Sequence, residues 1–270
     1  MAEVKTVLLT GGSSGIGAAT AHLLASAGIK VYCGSRRGTV DRPQEGIVPV
    51  VLDVNDAAGT EALVQRIVRE EGHLDAVICN AGNGIYGPVE GTLEQEARAQ
   101  LETTFFGSQK TIQACLPVFR RQHFGRIITV SSVMAVLQLP YQGYYAAAKA
   151  ALLSLSQSLS MELKGTGIEC CCILPGDVST GFTDARTINR AGREENSPYK
   201  AGMERNLRKI EHDELQGMAP EVIGRAILRQ LKKKHMAVRV IPRMDYKLVG
   251  LLVRILPAGW VLSVVSHLYN

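Results

Sequence analysis

The chain has 270 residues, of which 46% are hydrophobic and 20% are charged, a balance typical of a globular protein with a substantial core. The net charge is +5, and the basic residues are scattered apart from one short run at Leu231–His235. The sequence therefore lacks the basic stripe typical of nucleic-acid binding, and we expect no nucleic-acid partner. The N-terminus is charged and then strand-like, without the apolar core of a signal peptide, so we expect a cytoplasmic protein.

Strand-like and helix-length segments alternate along the chain. Strands are predicted at 5–10, 30–35, 46–54, 74–82, 125–132, 167–176 and 237–241. Helices are predicted at about 18–28, 56–71, 92–122, 143–164 and 220–234. Because the strands are apolar throughout, the pattern predicts an α/β fold, a single-domain Rossmann-type doubly wound parallel sheet with helices on both faces. The segment from 181 to 217 is polar, and we expect it to be irregular.

The six cysteines do not form a recognisable metal site. They include no CxxC pair, and three of them are consecutive at 170–172, a spacing unsuited to a zinc cage. We expect buried free thiols, as in a reducing compartment, and no bound metal.

A glycine-rich loop, TGGSSGIG at 10–17, lies where the first predicted strand ends and the first helix begins. Gly11, Gly15 and Gly17 allow a tight turn, close approach of the backbone to a phosphate, and close packing of helix on strand. The helix N-terminus then presents free N–H groups and its positive dipole end to a pyrophosphate. This placement predicts a dinucleotide site.

The spacing TGxxxGxG resembles the nucleotide loop of the short-chain dehydrogenase/reductase family. Further family motifs follow in order: NAG at 80–82, YxxxK at 145–149 and PGxVxT at 175–180, and the resemblance covers about residues 4–241. It implies one NAD(P)-binding domain over 1–270 that interconverts an alcohol and a carbonyl compound, assembled as a homodimer or homotetramer. The cofactor-binding residues that it implies are Gly11, Ser13, Ser14, Gly15, Ile16, Gly17, Asp53, Val54, Asn80, Ala81, Gly82, Tyr145, Lys149, Pro175, Gly176, Val178 and Thr180.

The choice of dinucleotide is predicted from the end of the second strand. NAD sites place an acidic residue there to hold the ribose hydroxyls, whereas this chain has Ser35 followed by Arg36 and Arg37. A neutral residue with adjacent guanidinium groups suits a 2′-phosphate, which favours NADP(H) over NAD(H). The alternative is that both arginines are merely solvated.

Tyr145 and Lys149 are one helical turn apart and share a helix face, while Tyr144 points elsewhere. A phenol that acts as a base near neutrality needs its pKa lowered by about two or three units, whereas burial alone would raise it. We expect the lysine ammonium, together with the positive charge of oxidised nicotinamide, to lower it. Tyr145 is therefore the candidate acid/base. By resemblance, Ser132 stabilises the substrate oxygen and Lys149 also binds the nicotinamide ribose; strand alternation turns Ser131 away. Thr104 stands where many family members carry an asparagine that supports a proton-relay water, which leaves that relay open.

By resemblance, residues 181–217 form a variable substrate lid and the largely apolar segment 133–144 forms the opposite wall. This favours a bulky lipophilic alcohol or ketone as the small-molecule substrate, such as a steroid, a retinoid or a fatty-chain carbonyl compound. The lid's arginines are either solvated or receive an anionic group. A regulator or scaffold that kept the fold but lost the chemistry is the alternative function.

The segment 244–270 is an apolar C-terminal extension with leucines at helical spacing. Its longest uncharged run, Ile255–Ser266, is shorter than the roughly 20 residues that cross a bilayer, so we expect no transmembrane span. Three roles remain open: packing on its own domain, covering the pocket or a partner subunit, or resting on a membrane surface. We favour burial against protein, because the segment has few charges of its own to form a polar face.

Overall fold

A seven-stranded parallel sheet forms the centre of the molecule in the computed structural model, which describes residues 3–181 and 186–269. In chain order the described strands are β1 (Thr6–Thr10), β2 (Lys30–Ser35), β3 (Ile47–Val51), β4 (Ala76–Cys79), β5 (Ile85–Tyr86), β6 (Gly125–Val130), β7 (Ile168–Ile173), β8 (Thr187–Ile188) and β9 (Arg239–Val240). The sheet order is β3-β2-β1-β4-β6-β7-β9, and β5 pairs with β8 separately. Residues 182–185 of the predicted lid lie outside the described residues.

Helices cover both faces of this sheet, which confirms the predicted doubly wound fold. The described α-helices are α1 (Gly15–Ser26), α2 (Ala57–Glu71), α3 (Glu94–Leu101), α4 (Gly107–Gln122), α5 (Gly143–Glu162), α6 (Arg190–Arg193), α7 (Lys200–Leu215), α8 (Pro220–Leu231), α9 (Met244–Ile255) and α10 (Ala258–Tyr269). One apolar core layer joins the sheet to α1 and α8, and the other joins it to α2, α4 and α5.

Successive residues of each strand point into opposite core layers, because side chains alternate along extended backbone. Leu8 belongs to the layer under α2, α4 and α5, whereas Leu9 packs under α1 and α8. The consecutive cysteines follow the same rule, with Cys170 in the first layer and Cys171 in the second. All six cysteines are buried free thiols, as expected.

The sheet order places a crevice at the carboxyl ends of β1 and β4. From β1 the chain builds outward through β2 and β3, then returns to β4 on the other side of β1. At such a switch point the loops that leave the two central strands diverge, which opens the usual ligand crevice of parallel α/β sheets. The glycine loop follows β1 and the NAG motif follows β4, so both meet at this crevice.

The single helix predicted over 92–122 is interrupted. A π-helical turn, Glu102–Phe106, separates α3 from α4, and the N–H of Gly107 donates to the carbonyl of Glu102. The Ser108 hydroxyl also donates to the carbonyl of Thr104 at 2.9 Å. Such insertions are frequent at functional sites, and Thr104 lies within this one.

The prediction of an irregular lid is wrong, because the segment contains α7. Its inward side carries Met203, Asn206 and Ile210, which are all buried. The Tyr86 hydroxyl donates to the Met203 carbonyl at 2.8 Å and to the Asn206 side chain at 3.0 Å, which fixes the helix over β5. Only three of its 16 residues are buried and one of those is polar, so the hydrophobic periodicity is too weak to reveal the helix.

The C-terminal helix pair, α9 and α10, packs on its own domain through only a few residues. Gly250 and Val265 are its buried positions, while its other large apolar side chains are mostly exposed. Within the described ranges, no helix combines the length and the apolar character needed to cross a membrane.

Candidate active site

The glycine loop is held in a backbone conformation that requires glycine. Gly11 and Gly15 have φ angles of 66° and 52°, in the left-handed region that favours glycine. A Cβ atom on Gly17 would lie 2.1 Å from the Gly11 carbonyl oxygen, so helix α1 approaches the loop closely only because that side chain is absent. The loop therefore has the tight turn and the close helix packing that a pyrophosphate site needs.

The NAG motif fastens this loop to the end of β4. The side-chain amide of Asn80 donates to the carbonyls of Thr10 and Gly11 at 3.2 and 2.9 Å. In return the Thr10 hydroxyl accepts the N–H groups of Asn80 and Ala81, both at 3.0 Å. These bonds cross from β4 to β1 and hold the two sides of the crevice together.

A cleft of about 920 Å³ opens at this crevice and brings the predicted site residues together. The predicted residues that line it are Gly11, Ser13, Ser14, Gly15, Ile16, Ser35, Arg36, Arg37, Asp53, Val54, Asn80, Ala81, Gly82, Ser132, Tyr145, Lys149, Pro175, Gly176, Val178 and Thr180. Gly17 is the exception, because it serves the packing of α1 on the loop instead. The glycine conformations, the helix N-terminus and the length of this lining fit a dinucleotide.

Ser132 and Tyr145 are hydrogen-bonded through their hydroxyl groups. Ser132 follows the end of β6 by two residues and caps a short 3₁₀ turn, where its hydroxyl accepts the Met134 N–H at 3.1 Å. The neighbouring Ser131 hydroxyl instead donates to the Lys149 carbonyl at 2.8 Å, as the expected alternation requires. The arrangement selects Tyr145 over Tyr144, which does not line the cleft.

Lys149 is buried and lies beside Tyr145 on α5. Its Nζ atom donates to the carbonyl of Val130 at 2.9 Å and lies 5.7 Å from the centre of the Tyr145 ring. Burial lowers the pKa of Lys149 to about 8, because an ammonium loses hydration in the protein interior. The lysine is therefore charged at neutral pH and loses that charge in mildly alkaline solution.

The expected lowering of the Tyr145 pKa is not what the structure shows. Burial raises the pKa of Tyr145 to about 12, and the hydrogen bond from Ser132 opposes this only in part. Two carboxylates, Glu214 and Asp177, act in the same direction as burial, whereas Arg186 opposes it. A phenol in this environment keeps its proton near neutrality, which suits proton donation to a carbonyl oxygen.

Thr104 occupies the position predicted for the relay asparagine and is fully buried. Its hydroxyl accepts from the side-chain amide of Gln100 at 2.9 Å, and that amide also bonds to Asn83. A Cβ atom on Gly82 would lie 3.6 Å from the Lys149 Nζ and 3.7 Å from the Thr104 hydroxyl. Gly82 thus leaves open space between the lysine and the threonine. The sequence pattern did not point to Gln100.

The end of β2 presents two exposed cations to the cleft. Arg36 and Arg37 are exposed, and neither forms an ion pair within the described residues. Ser35 is buried, and its hydroxyl donates to the carbonyl of Thr39 at 3.4 Å. Asp53 follows β3 across the same corner, where its carboxylate accepts the N–H of Asn55 at 2.9 Å. The strand end therefore offers positive charge where an NAD site would offer a carboxylate.

The substrate end of the cleft contains residues that the motifs did not predict. Asp177, Glu214, Tyr246 and Tyr269 all line it. The Tyr246 hydroxyl donates to the carboxylate of Asp177, and burial raises the pKa of that carboxyl. Asp177 lies inside the PGxVxT motif at a position that the motif leaves unspecified. The other three are distant in sequence and reach the cleft only through α7, α9 and α10.

The lid arginines are mostly neutralised by carboxylates. Arg186 and Glu214 form an ion pair in which their side chains are only 4% and 13% exposed. Arg190 and Arg193 pair with glutamates as well. The Arg186–Glu214 pair also links the start of the lid to the end of α7.

A family model for short chain dehydrogenases matches residues 5–191, which is more than half of the chain. The chain belongs to the short-chain dehydrogenase/reductase family. A relative from Bacteroides thetaiotaomicron, a 3-ketodihydrosphingosine reductase, is 37% identical over 236 residues, 86% of this chain and 86% of that protein. The protein is thus an oxidoreductase of this family, with a nicotinamide dinucleotide as its cofactor.

Solved structures show the same architecture. A short-chain dehydrogenase from Streptomyces avermitilis superposes with a TM-score of 0.81 at 28% identity, covering 99% of this chain and 96% of that one. A short-chain dehydrogenase from Burkholderia cenocepacia, solved in complex with NADP, superposes with a TM-score of 0.74 at 23% identity, covering 96% of each chain. The second likeness concerns the fold alone.

Proposed function

We propose that this enzyme is an NADPH-dependent reductase of long-chain ketones that carry an amino group next to the carbonyl, as 3-ketodihydrosphingosine does. The observation that carries the proposal is the pair of carboxylates, Asp177 and Glu214, at the substrate end of the cleft that holds Tyr145. Both lie close enough to raise the pKa of Tyr145. An ammonium group beside the reacting ketone would meet them.

Electrostatics supports an ammonium at this place. A half-buried carboxyl such as Asp177, whose pKa is raised by lost hydration, gains stability when a cation approaches its charged form. Glu214 is already ion-paired with Arg186, so Asp177 is the better partner for the ammonium group of the substrate. Arg243 and Lys209 already act on this carboxylate electrostatically, but they do not bring its pKa down to the ordinary value, and a neutral ketone such as a steroid would add no further cation.

The rest of the substrate wall is apolar. Met134, Leu137 and Leu139 line one side of the cleft, and Ile210 lines the other from α7. An alkyl chain gains about 0.8 kcal/mol for each methylene that it buries, so such a wall favours a long chain over a short one. The combination of two carboxylates with an apolar wall matches a long-chain amino ketone.

In the proposed reaction the bound cofactor supplies a hydride. The chain's own residues supply the proton and stabilise the charge that develops on the substrate's carbonyl oxygen. The Tyr145 phenol, protonated at neutral pH, donates its proton to the carbonyl oxygen as the alcohol forms. Ser132 donates a hydrogen bond to the same oxygen and stabilises its developing charge. Charged Lys149 stabilises the phenolate that remains.

The proposed preference for NADPH rests on Arg36 and Arg37. Guanidinium groups bind phosphate through paired, charge-assisted hydrogen bonds, and these two are not neutralised by carboxylates within the described residues. Ser35 adds a small hydroxyl where a carboxylate would repel the 2′-phosphate.

A comparison of three ketones tests the proposed function. With NADPH we expect the highest kcat/KM for 3-ketodihydrosphingosine, a lower value for the ketone of equal chain length without the amine, and the lowest for a ketosteroid. Equal values for the first two substrates would contradict the amine recognition, and preference for the steroid would overturn the proposal.

A further inference from the structure

An apolar surface that the active site does not use covers the C-terminal helix pair. On α9 the exposed residues Met244, Leu248, Leu251, Leu252 and Ile255 recur at helical spacing and therefore share one face. The residues that pack against the domain, such as Gly250, lie on the opposite face. The α9 face thus forms a continuous apolar stripe turned toward solvent.

The second helix adds a similar stripe. On α10, Trp260, Val264 and Leu268 are four residues apart and are 69%, 59% and 59% exposed, while Val265 packs inward. Exposed apolar surface of this extent marks an interaction site. A tryptophan at its edge is typical of contact with the interface between lipid and water.

A basic groove of about 540 Å³ borders the stripe on α9. Its cations come from α8, the turn after α8, β9 and α9: they are Arg229, Lys233, Arg239, Lys247 and Arg254. No acidic residue lines the groove, and none of the five cations forms an ion pair within the parts of the chain that the structure describes. Leu251 belongs to both surfaces, so the groove and the stripe are continuous.

We propose that the C-terminal helix pair and the basic groove dock the enzyme on the surface of an anionic lipid bilayer. The stripe would enter the region between headgroups and acyl chains, while the cations would meet the lipid phosphates. The cations of α8, of the turn after it and of β9 add to Lys247 and Arg254 of α9 and complete a polar face that the sequence of α9 alone does not provide. This is why the sequence alone favoured burial against protein.

Charge favours a bilayer over a second copy of the chain. In a two-fold dimer each patch meets itself, so a groove with five unpaired cations would face another such groove. An anionic surface neutralises these cations instead. The helix pair also starts and ends at the cleft, since Tyr246 and Tyr269 line it, so docking would hold the cleft mouth near the membrane. Delivery of a lipid substrate by this route rests on the proposed function.

Sedimentation with vesicles tests the docking without substrate or NADPH, so it can fail independently of the proposed activity. Vesicles of phosphatidylglycerol and phosphatidylcholine should bind the protein, and vesicles of phosphatidylcholine alone should bind it far less. Replacement of Lys247 and Arg254 by glutamine should weaken anionic-vesicle binding about thirty-fold, at ~1 kcal/mol per cation. The control R120Q/R121Q, which removes two exposed cations from α4, should leave binding unchanged.

The apolar stripe is tested by L248S/I255S, which changes only exposed side chains. Binding to anionic vesicles should fall by roughly a hundredfold or more, because each leucine-sized side chain loses about 1.5–3 kcal/mol of burial. Sedimentation velocity of the same variant supplies the second measurement. The proposal is overturned if the wild type ignores anionic vesicles, if neither variant weakens binding, or if L248S/I255S only converts a dimer to a monomer.

Discussion

Replacement of Asp177 by asparagine isolates the amine recognition on which the proposed substrate depends. The change removes one charge but keeps an oxygen that can accept the hydrogen bond from Tyr246, so the fold should be preserved. A hydrogen bond to a charged group contributes about 1.5–3 kcal/mol. We therefore expect kcat/KM for 3-ketodihydrosphingosine to fall roughly tenfold to a hundredfold, mainly through KM.

The assay follows NADPH absorbance with two ketones of equal chain length, one with the amine and one without it. D177N should be slow with the first and nearly unchanged with the second. The matched control is D56N, since Asp56 is exposed and does not line the cleft, and asparagine can still accept the Gly59 N–H that Asp56 accepts. An equal loss with both ketones would refute the reasoning, because it would mean that Asp177 acts on the fold or on Tyr145.

Three further outcomes are expected from the site. Tyr145→Phe should lower kcat about a hundredfold to ten-thousandfold with NADPH binding retained, and Tyr144→Phe should keep most activity; equal losses would contradict the assignment of the proton donor. Ser35→Asp combined with Arg36→Ala should lower kcat/KM for NADPH roughly tenfold to a hundredfold and favour NADH, and an unchanged ratio would exclude this strand end as the phosphate site. Because burial lowers the pKa of Lys149 to about 8, kcat/KM for reduction should fall as pH rises through about 8. Constant kcat/KM well above that pH would show that the reaction does not depend on the Lys149 charge.

Much of the fold and of the cofactor site follows from local sequence. Strands that are apolar throughout predict a sheet buried on both faces, and a glycine loop between strand and helix predicts the crevice. The motifs mark strand ends that a parallel sheet brings to one edge, so residues as distant as Gly11 and Thr180 meet in one cleft. Among the predicted site residues, Gly17 is the one that does not line the cleft.

Other features depend on packing that the sequence pattern does not express. Apolar residues continue at helical spacing through Thr104, so nothing in the periodicity marks the π-helical turn there. Helix α7 is polar in sequence and is fixed by the buried Tyr86 hydroxyl. Burial of the Tyr145 phenol, and to a smaller extent the approach of Glu214 and Asp177, exist only in the folded chain, which is why the expected fall in the Tyr145 pKa became a rise.

The most direct test of the proposed activity is transfer of deuterium from NADPH labelled at the reacting carbon of the nicotinamide to 3-ketodihydrosphingosine. Reduction of the ketone consumes one hydride and one proton, so the alcohol formed should carry one deuterium, as measured by mass spectrometry. We expect this labelled product with the wild type and almost none with Tyr145→Phe. An enzyme that oxidises NADPH with other ketones but forms no labelled alcohol from this one would contradict the proposed substrate.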